Sequence, residues 1–305
     1  ADFEVHCLGL ISDGSIGAWC NKYFGQCNVP EPNTDFLAVA GGERHSLGLK
    51  SDGSVVAWGA NNYGQCNVPS PNSGFVKIAC GNYQSMGLKE DGSLVAWGAG
   101  SGFVGSQNTD FVAVTGRLGL KSDGSITTWR GSFPGDFVAV AEGFDHYLAL
   151  QSDGTITAWG ANDYGQCDVP EPNAGFSAVS AGFRLGLAVR SIGSVAAWGI
   201  NTWGQCDVPE PNSDFVAVAS GDMHALGLKA DGSLVAWGRN NYGQCNIPPP
   251  NQDFVAVAAW GSNSGGIKAA ASIEVWGSAP FGQPTATNQD FAALWIGSSY
   301  CLGRG

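Results

Sequence analysis

The sequence predicts an all-β chain, a single β-propeller of eight blades spanning 1–305, and three observations carry that expectation. A tryptophan anchor recurs at Trp19, Trp58, Trp97, Trp129, Trp159, Trp198, Trp237 and Trp276, with spacings of 39, 39, 32, 30, 39, 39 and 39. A phenylalanine opening runs such as "DFVAV" recurs at Phe36, Phe75, Phe111, Phe137, Phe176, Phe215, Phe254 and Phe291. Glycine is abundant at 46 residues, and strand and turn formers dominate over helix formers. Small sheets at a period near 40, stacked face to face, describe a propeller.

One unit, 214–251, shows why each element is expected. "FVAVA" and "ALGLK" are short runs separated by a small polar loop. "ALGLKADGSLVAWG" reads as a hairpin, because Asp-Gly supplies the positive φ angles of a tight turn. "QCNIP" reads as a fourth run, ended by proline and suited to an outer edge. The runs are apolar almost throughout, which predicts sheets covered on both faces. The tail "DFAALWIGSSYCLGRG" (290–305) has no tryptophan run, and the head "HCLGLISDGSIGAW" (6–19) supplies one. Pairing the two ends in one blade closes the ring and leaves one terminal copy of the "LGL" strand redundant. The compressed units around 98–136 make seven blades the alternative count.

Charge narrows the partners. Charged residues are only 13% and the net charge is −12. Such a surface repels phosphate backbones and anionic lipid, so neither nucleic acid nor membrane is expected as a partner. No apolar run approaches the roughly 18 residues of a spanning helix. The sequence opens on Ala1 with no initiator Met and no evident signal peptide. A processed mature chain of that kind is expected to be secreted or held at the cell surface.

The residues that suggest chemistry read as structural. The phrase "GQCNVPEPN" (25–33) returns with small changes at 64–72, 165–173, 204–212 and 243–251. Equivalent positions in different blades do not meet, whereas a disulfide needs Cα atoms within about 7 Å. Cys27, Cys66, Cys167, Cys206 and Cys245 are therefore expected to be unbridged small hydrophobes. Cys7 and Cys301 share a register at opposite ends, leaving a closing bridge open, and Cys20 and Cys80 are unassigned. His45, His146 and His224 share one register, with His6 in the terminal copy, which fits hydrogen-bonded structural histidines better than a metal site. Asp13, Asp52, Asp91, Asp123, Asp153 and Asp231 are turn residues. "GSGFVG" (100–105) has dinucleotide-loop spacing but no helix follows it. Neither a cofactor nor catalysis is indicated.

"WGANNYGQC" with "GGERHSLGLKSDGSVVAWG" resembles the regulator-of-chromosome-condensation repeat, whose units read WG-x-N-x-x-G-Q and G-x-x-H-x-x-x-L. The short units and "VP" ending look most like a secreted bacterial branch that includes the propeller-type β-lactamase inhibitor proteins. That family is usually seven-bladed, so eight blades would be a departure. The nuclear members' exchange-factor role is not expected here, because no basic tail exists. Plant ultraviolet-B photoreceptors share the repeat. Only Trp203, Trp260 and Trp295 lie outside the anchor position, so photoreception is not expected either.

Binding is the function class that the loops favour. Two residues preceding the histidine register vary sharply: Glu43-Arg44, Asn82-Tyr83, Phe144-Asp145, Phe183-Arg184 and Asp222-Met223. Scaffold demands alone would not diversify them. The residue before "GQ" is aromatic in Phe24, Tyr63, Tyr164, Trp203, Tyr242 and Phe281, and its regular recurrence fits packing against the next blade. The expected partner-binding set is Arg44, Tyr83, Phe144, Asp145, Phe183, Arg184, Trp203, Met223 and Tyr242, centred on 183–242. The short connection "RGSFPGD" (130–136) leaves its sector low. In the inhibitor branch such loops contact the partner, and the resemblance implies that role here. The reading is a non-enzymatic extracellular protein-binding propeller; a polysaccharide-binding or polysaccharide-degrading module is the alternative.

Overall fold

In the computed structural model, residues 6–20, 22–100, 108–128, 131–278, 291–296 and 300–303 are described. Trp129, Phe281 and most of "GSGFVG" lie outside them. Among the described residues every regular element is a strand, apart from one 3-10 turn at Lys22–Phe24. The strands form eight antiparallel sheets. Blades are numbered here in order of their third, tryptophan-type strand.

The chain divides into two compact units. The first holds blade 1 (Phe291–Ile296, His6–Ile11, Ile16–Cys20), blade 2 (Phe36–Gly41, His45–Lys50, Val55–Gly59) and blade 3 (Phe75–Cys80, Gln84–Lys89, Leu94–Gly98). It also holds blade 4 (Phe111–Val114, Leu118–Lys121, Ile126–Thr128, Gly131–Phe133). The second holds blade 5 (Phe137–Glu142, His146–Gln151, Ile156–Gly160) and blade 6 (Phe176–Ala181, Leu185–Arg190, Val195–Gly199). Blade 7 (Phe215–Ser220, His224–Lys229, Leu234–Gly238) and blade 8 (Phe254–Trp260, Asn263–Lys268, Ile273–Gly277) complete it.

Blade count and blade 1 match expectation. Head and tail strands pair, with Cys7 opposite Ile296 and Leu8 opposite Trp295. Within 98–136 the strands Phe111–Val114, Leu118–Lys121, Ile126–Thr128 and Gly131–Phe133 make a complete sheet, so eight blades stand and seven do not. The redundant "LGL" copy is the C-terminal one: Tyr300–Gly303 pairs beside the first strand of blade 5, Val140 opposite Leu302.

The fourth run is a correction. Residues such as "QCNVP" form no strand; a single asparagine side chain replaces it. Asn72 Oδ1 accepts the N–H of Val55 at 2.8 Å and its Nδ2 donates to the Val55 carbonyl at 2.9 Å. Asn33, Asn108, Asn173, Asn212 and Asn251 repeat this clasp on Ile16, Leu94, Ile156, Val195 and Leu234. One amide thus satisfies the outer edge of six third strands, a place where prolines leave few donors for a ladder, while in blade 4 a fourth strand, Gly131–Phe133, does so.

The glutamine of the phrase ties neighbouring blades together. Gln26, Gln65, Gln166, Gln205 and Gln244 are buried. Their carbonyls accept the indole N–H of Trp58, Trp97, Trp198, Trp237 and Trp276 from the following blade, at 2.8–3.0 Å. At three junctions a serine hydroxyl adds a second donor: Ser46 to Gln26, Ser85 to Gln65 and Ser264 to Gln244. Those serines meet Nε2 of His6, His45 and His224 at 2.8–2.9 Å. Because each hydroxyl spends its proton on the glutamine carbonyl, each imidazole donates its Nε2–H, which fixes the tautomer. These histidines are structural. Burial holds them neutral, with pKa values lowered to about 3 for His6 and about 4 for His45 and His224.

Apolar packing follows the same sequence of neighbours. Phe215 and Trp237 of blade 7 pack on Leu185, Leu187, Val189 and Val195 of blade 6. Phe254 and Trp276 of blade 8 pack in turn on Leu226, Leu228 and Leu234 of blade 7. The first strands depart from the expectation of two covered faces. Leu37, Val76, Val216 and Val255 are exposed, each at the register shift that follows the anchoring phenylalanine.

The aspartates behave as expected of turns. Asp52 Oδ1 accepts the Ser54 N–H at 2.9 Å and the Ser54 hydroxyl at 2.6 Å, and those bonds hold its pKa below the ordinary value. Gly53 beside it needs φ +77°. Blade 6 carries Ile192 at the aspartate's register, 81% exposed. Ile192→Asp should restore the local bonds and raise stability by about 0.5–1 kcal/mol; equilibrium urea unfolding measures it.

Cys66, Cys167, Cys206 and Cys245 are free thiols, half-buried rather than fully buried. Each donates to a nearby carbonyl, Ala60, Ala161, Ile200 or Arg239, at 3.3–3.4 Å. Cys27 corrects the expectation for the fifth, since it is disulfide-bonded. Neither Cys7 nor Cys80 forms a disulfide. A Cys7–Cys301 closure is therefore excluded. Alkylation of the denatured, unreduced chain should label Cys66, Cys167, Cys206 and Cys245 and spare Cys27. Peptide mass spectrometry that finds Cys27 alkylated would overturn this assignment.

Candidate functional site

Two loops meet at one end of each full blade: the turn between first and second strands, and the segment leading into "GQ". The residue after the tryptophan-strand glycine donates its N–H to the second variable loop residue, as Ala60 does to Arg44, Ile200 to Arg184 and Arg239 to Met223. Adjacent turns are also linked, Glu43 N–H to Asn82 O, Phe144 N–H to Gly182 O and Asp222 N–H to Gly261 O. The turns pack so closely that a Cβ at Gly42 would overlap the His45 ring and the Gly81 carbonyl. Backbone geometry at this end is therefore fixed, and its side chains are free to differ.

The aromatic residues before "GQ" meet the turn of the next blade, Tyr63 against Tyr83 and Tyr164 against Arg184, but are not buried there. Tyr63 is 58% exposed, Tyr164 44%, Trp203 49% and Tyr242 46%. Their regularity comes from the backbone. The N–H of Tyr63, Tyr164, Trp203 or Tyr242 donates to the buried glutamine Oε1 two residues on, at 2.8–2.9 Å. The scaffold thus requires the turn and not the ring.

In the second unit the aromatics cluster with arginines. Phe144 and Phe183 have ring centroids 4.8 Å apart. The Arg184 guanidinium lies 4.1 Å from the Tyr164 centroid and 4.8 Å from that of Phe183. The Arg239 guanidinium lies 5.2 Å from the Trp203 centroid and 5.3 Å from that of Tyr242. Met223 Sδ accepts from Gln205 Nε2 at 3.4 Å, beneath the Trp203 turn. Burial pushes the Asp222 carboxyl up to about 6, against the pull of Arg239. Asp145 stands 3.9 Å from His146 Nδ1. These stacks join apolar area to planar cations, the residue types that dominate interface energetics.

Arg44 and Tyr83 belong to the first unit, where they form a separate group. Arg44 lies 4.6 Å over Phe24 and 3.3 Å from Glu43. Tyr83 contacts Tyr63 at 5.1 Å between centroids, and its hydrogen bond to Glu43 pushes the phenol pKa up. Sequence reasoning passed over Arg239. The available signal was the residue after "WG", which is Ala60, Ala161, Ile200 and Arg239 in equivalent units.

Three segments, 36–65, 137–166 and 215–244, match the model described as regulator of chromosome condensation (RCC1) repeat. No curated protein matches the chain. Among solved structures the chain is similar to the CRINKLY WD40 ectodomain of the Arabidopsis thaliana receptor kinase ACR4. Identity is 21% over 92% of this chain and 93% of that one, with a TM-score of 0.61. It is similar to Prp20p from Saccharomyces cerevisiae, at 19% identity over 90% and 80%, TM-score 0.55. It is also similar to a structure of Kap60 bound to yeast RCC1 (Prp20), at 18% identity over 99% and 89%, TM-score 0.57. The chain is a β-propeller, and three of its units match the RCC1 repeat.

Proposed function

We propose that this propeller is a non-enzymatic, extracellular protein-binding module, and that it engages its partner through the aromatic and arginine cluster of blades 5 to 8. The observation that carries the reading is the exposure of Tyr164, Trp203 and Tyr242 at positions where the scaffold requires only a backbone turn. Similar propellers are described as protein binders. Prp20p is described with its binding properties to Gsp1p and histones, and in complex with Kap60. The disulfide at Cys27 supports an oxidising compartment. The free thiols fit it as well: burial pushes Cys7 up to about 12 and Cys66, Cys206 and Cys245 to about 11, which keeps them unreactive. Inhibition of an enzyme is the specific form that the repeat resemblance suggests.

Affinity capture with the wild-type chain, compared with Trp203→Ala/Tyr242→Ala, tests the reading. The double variant should bind the captured protein about thirtyfold more weakly, the equivalent of about 2 kcal/mol, with an unchanged melting temperature. Normal binding, or unfolding of the variant, would return these rings to a scaffold role. Selective binding to a glycan array, abolished by the same substitutions, would favour the polysaccharide alternative.

A further inference from the structure

Seven of the 14 Lys and Arg residues of this acidic chain fall into two groups with opposite treatment. Lys50, Lys89, Arg190, Lys229 and Lys268 close the second strands, near the turns that join them to the tryptophan strands. Each lies 4.2–4.9 Å over the phenylalanine that opens its blade. Each also donates to carbonyls of the proline segment that follows the preceding blade: Lys50 to Pro32 and Thr34, Lys89 to Pro71, Arg190 to Pro172 and Ala174, Lys229 to Pro211, Lys268 to Pro250. These five are consumed by the scaffold.

Arg184 and Arg239 stand at the opposite end of the blades. They have the aromatic stacking of the first group without its hydrogen-bonded acceptors; the buried Asp222 carboxyl is within electrostatic reach of Arg239 but does not bond to it. Among the described residues neither guanidinium makes a hydrogen bond or an ion pair, and the Nε of each is buried without a partner. Stacking occupies the faces of a guanidinium and leaves its N–H edge, the edge that matches a carboxylate fork, unused. Arg44 differs in having a carboxylate beside it, Glu43 Oε1 at 3.3 Å from its Nε, although that Nε too makes no hydrogen bond.

We propose that Arg184 and Arg239 are carboxylate receptors, and that the partner segment they take carries Asp or Glu beside apolar side chains. This rests on the binding-face reading and names the partner's chemistry. A carboxylate fits better than a nucleic-acid or polyphosphate chain: the net charge of −12 repels multivalent anions at range, whereas two stacked arginines among four rings suit single anions flanked by apolar groups. The partner's carboxylates would supply the acceptors that these guanidiniums lack in the free chain.

Selection of a random displayed peptide library on the immobilised full chain tests this. The expected result is enrichment of peptides pairing Asp or Glu with aromatic or aliphatic residues. An enriched peptide should lose about tenfold in affinity for each of Arg184→Gln and Arg239→Gln, and a comparable amount when its own Glu becomes Gln. Its association should also slow as salt rises. Enriched peptides without acidic residues, weakened by Trp203→Ala/Tyr242→Ala and not by the arginine variants, would overturn the carboxylate proposal and spare the binding face. Failure to enrich any peptide would count against both. If the glutamine variants melt early, Arg184→Lys and Arg239→Lys keep the charge and remove the fork. A tenfold loss in those variants supports the proposal, and an unchanged affinity refutes it.

Discussion

Replacing Trp237 with alanine should destabilise the second unit by about 3–5 kcal/mol, the usual cost of truncating a large buried aromatic. The indole fills the junction between blades 6 and 7 against Leu185, Leu187, Val189 and Val195. It also donates to the buried Gln205 carbonyl at 3.0 Å. Trp237→Phe separates the two contributions, because it keeps most of the apolar surface and removes the N–H. At blade 8 the Gln244 carbonyl also accepts from Ser264, so Trp276→Phe leaves it satisfied. At blade 7 the serine register holds Ala225, and no side-chain donor from that register replaces the lost indole. Trp237→Phe should therefore cost more than Trp276→Phe by about 1 kcal/mol, the penalty for a buried acceptor left short of a donor. Calorimetric unfolding of both variants measures the difference. Equal costs would mean that the indole bonds contribute nothing to blade pairing.

Acid should begin to weaken this protein below pH 6.5, before most carboxylates titrate. His6, His45 and His224 are buried and neutral, with folded pKa values of about 3, 4 and 4 against 6.5 for the free side chain. Above pH 6.5 both states are neutral at these positions and stability is flat. Between pH 6.5 and about 4 the unfolded chain takes up protons that the folded chain refuses. Stability then falls by up to about 1.4 kcal/mol per pH unit for each histidine. Three such groups over two units approach the whole stability of an ordinary domain. Asp222 acts in the opposite direction. Its folded pKa of about 6 is raised, so the folded state binds the extra proton between pH 6 and 3.8 and offsets part of one histidine's loss. Urea midpoints at pH 7, 6, 5 and 4 should decline, and His224→Gln should reduce the net slope between pH 6 and 4 by about half, because Asp222 already cancels about one histidine there. Constant midpoints would show that these imidazoles are not held neutral.

The blade order was legible because Trp and Phe anchors repeat at a fixed period, and the Asp-Gly turns and structural histidines could be read within one unit. Bonds between units could not be read in that way. The outer edge looked like a strand because "QCNVP" is a short run ended by proline, yet an asparagine three residues on closes it with one side chain. Tyr63, Tyr164, Trp203 and Tyr242 looked like packing because they recur, and the recurrence belongs to the N–H bonded by glutamine. Arg239 was overlooked because its position holds small or aliphatic residues elsewhere. Its importance arises from Trp203, which belongs to the preceding unit, and no single repeat contains both. Cys27 departs from its four counterparts through a disulfide that its own phrase does not announce.

The central claim is that recognition occurs where the variable turns meet the exposed aromatics, while the Asp-Gly ends serve only the scaffold. Hydrogen–deuterium exchange of the free chain and of its complex with the captured protein tests this most directly. New protection should fall at 144–145, 183–185, 203, 222–224 and 239–242, and exchange at the turns 153–155, 192–194 and 231–233 should stay unchanged. Protection concentrated at those turns, with 183–242 otherwise unaffected, would contradict it.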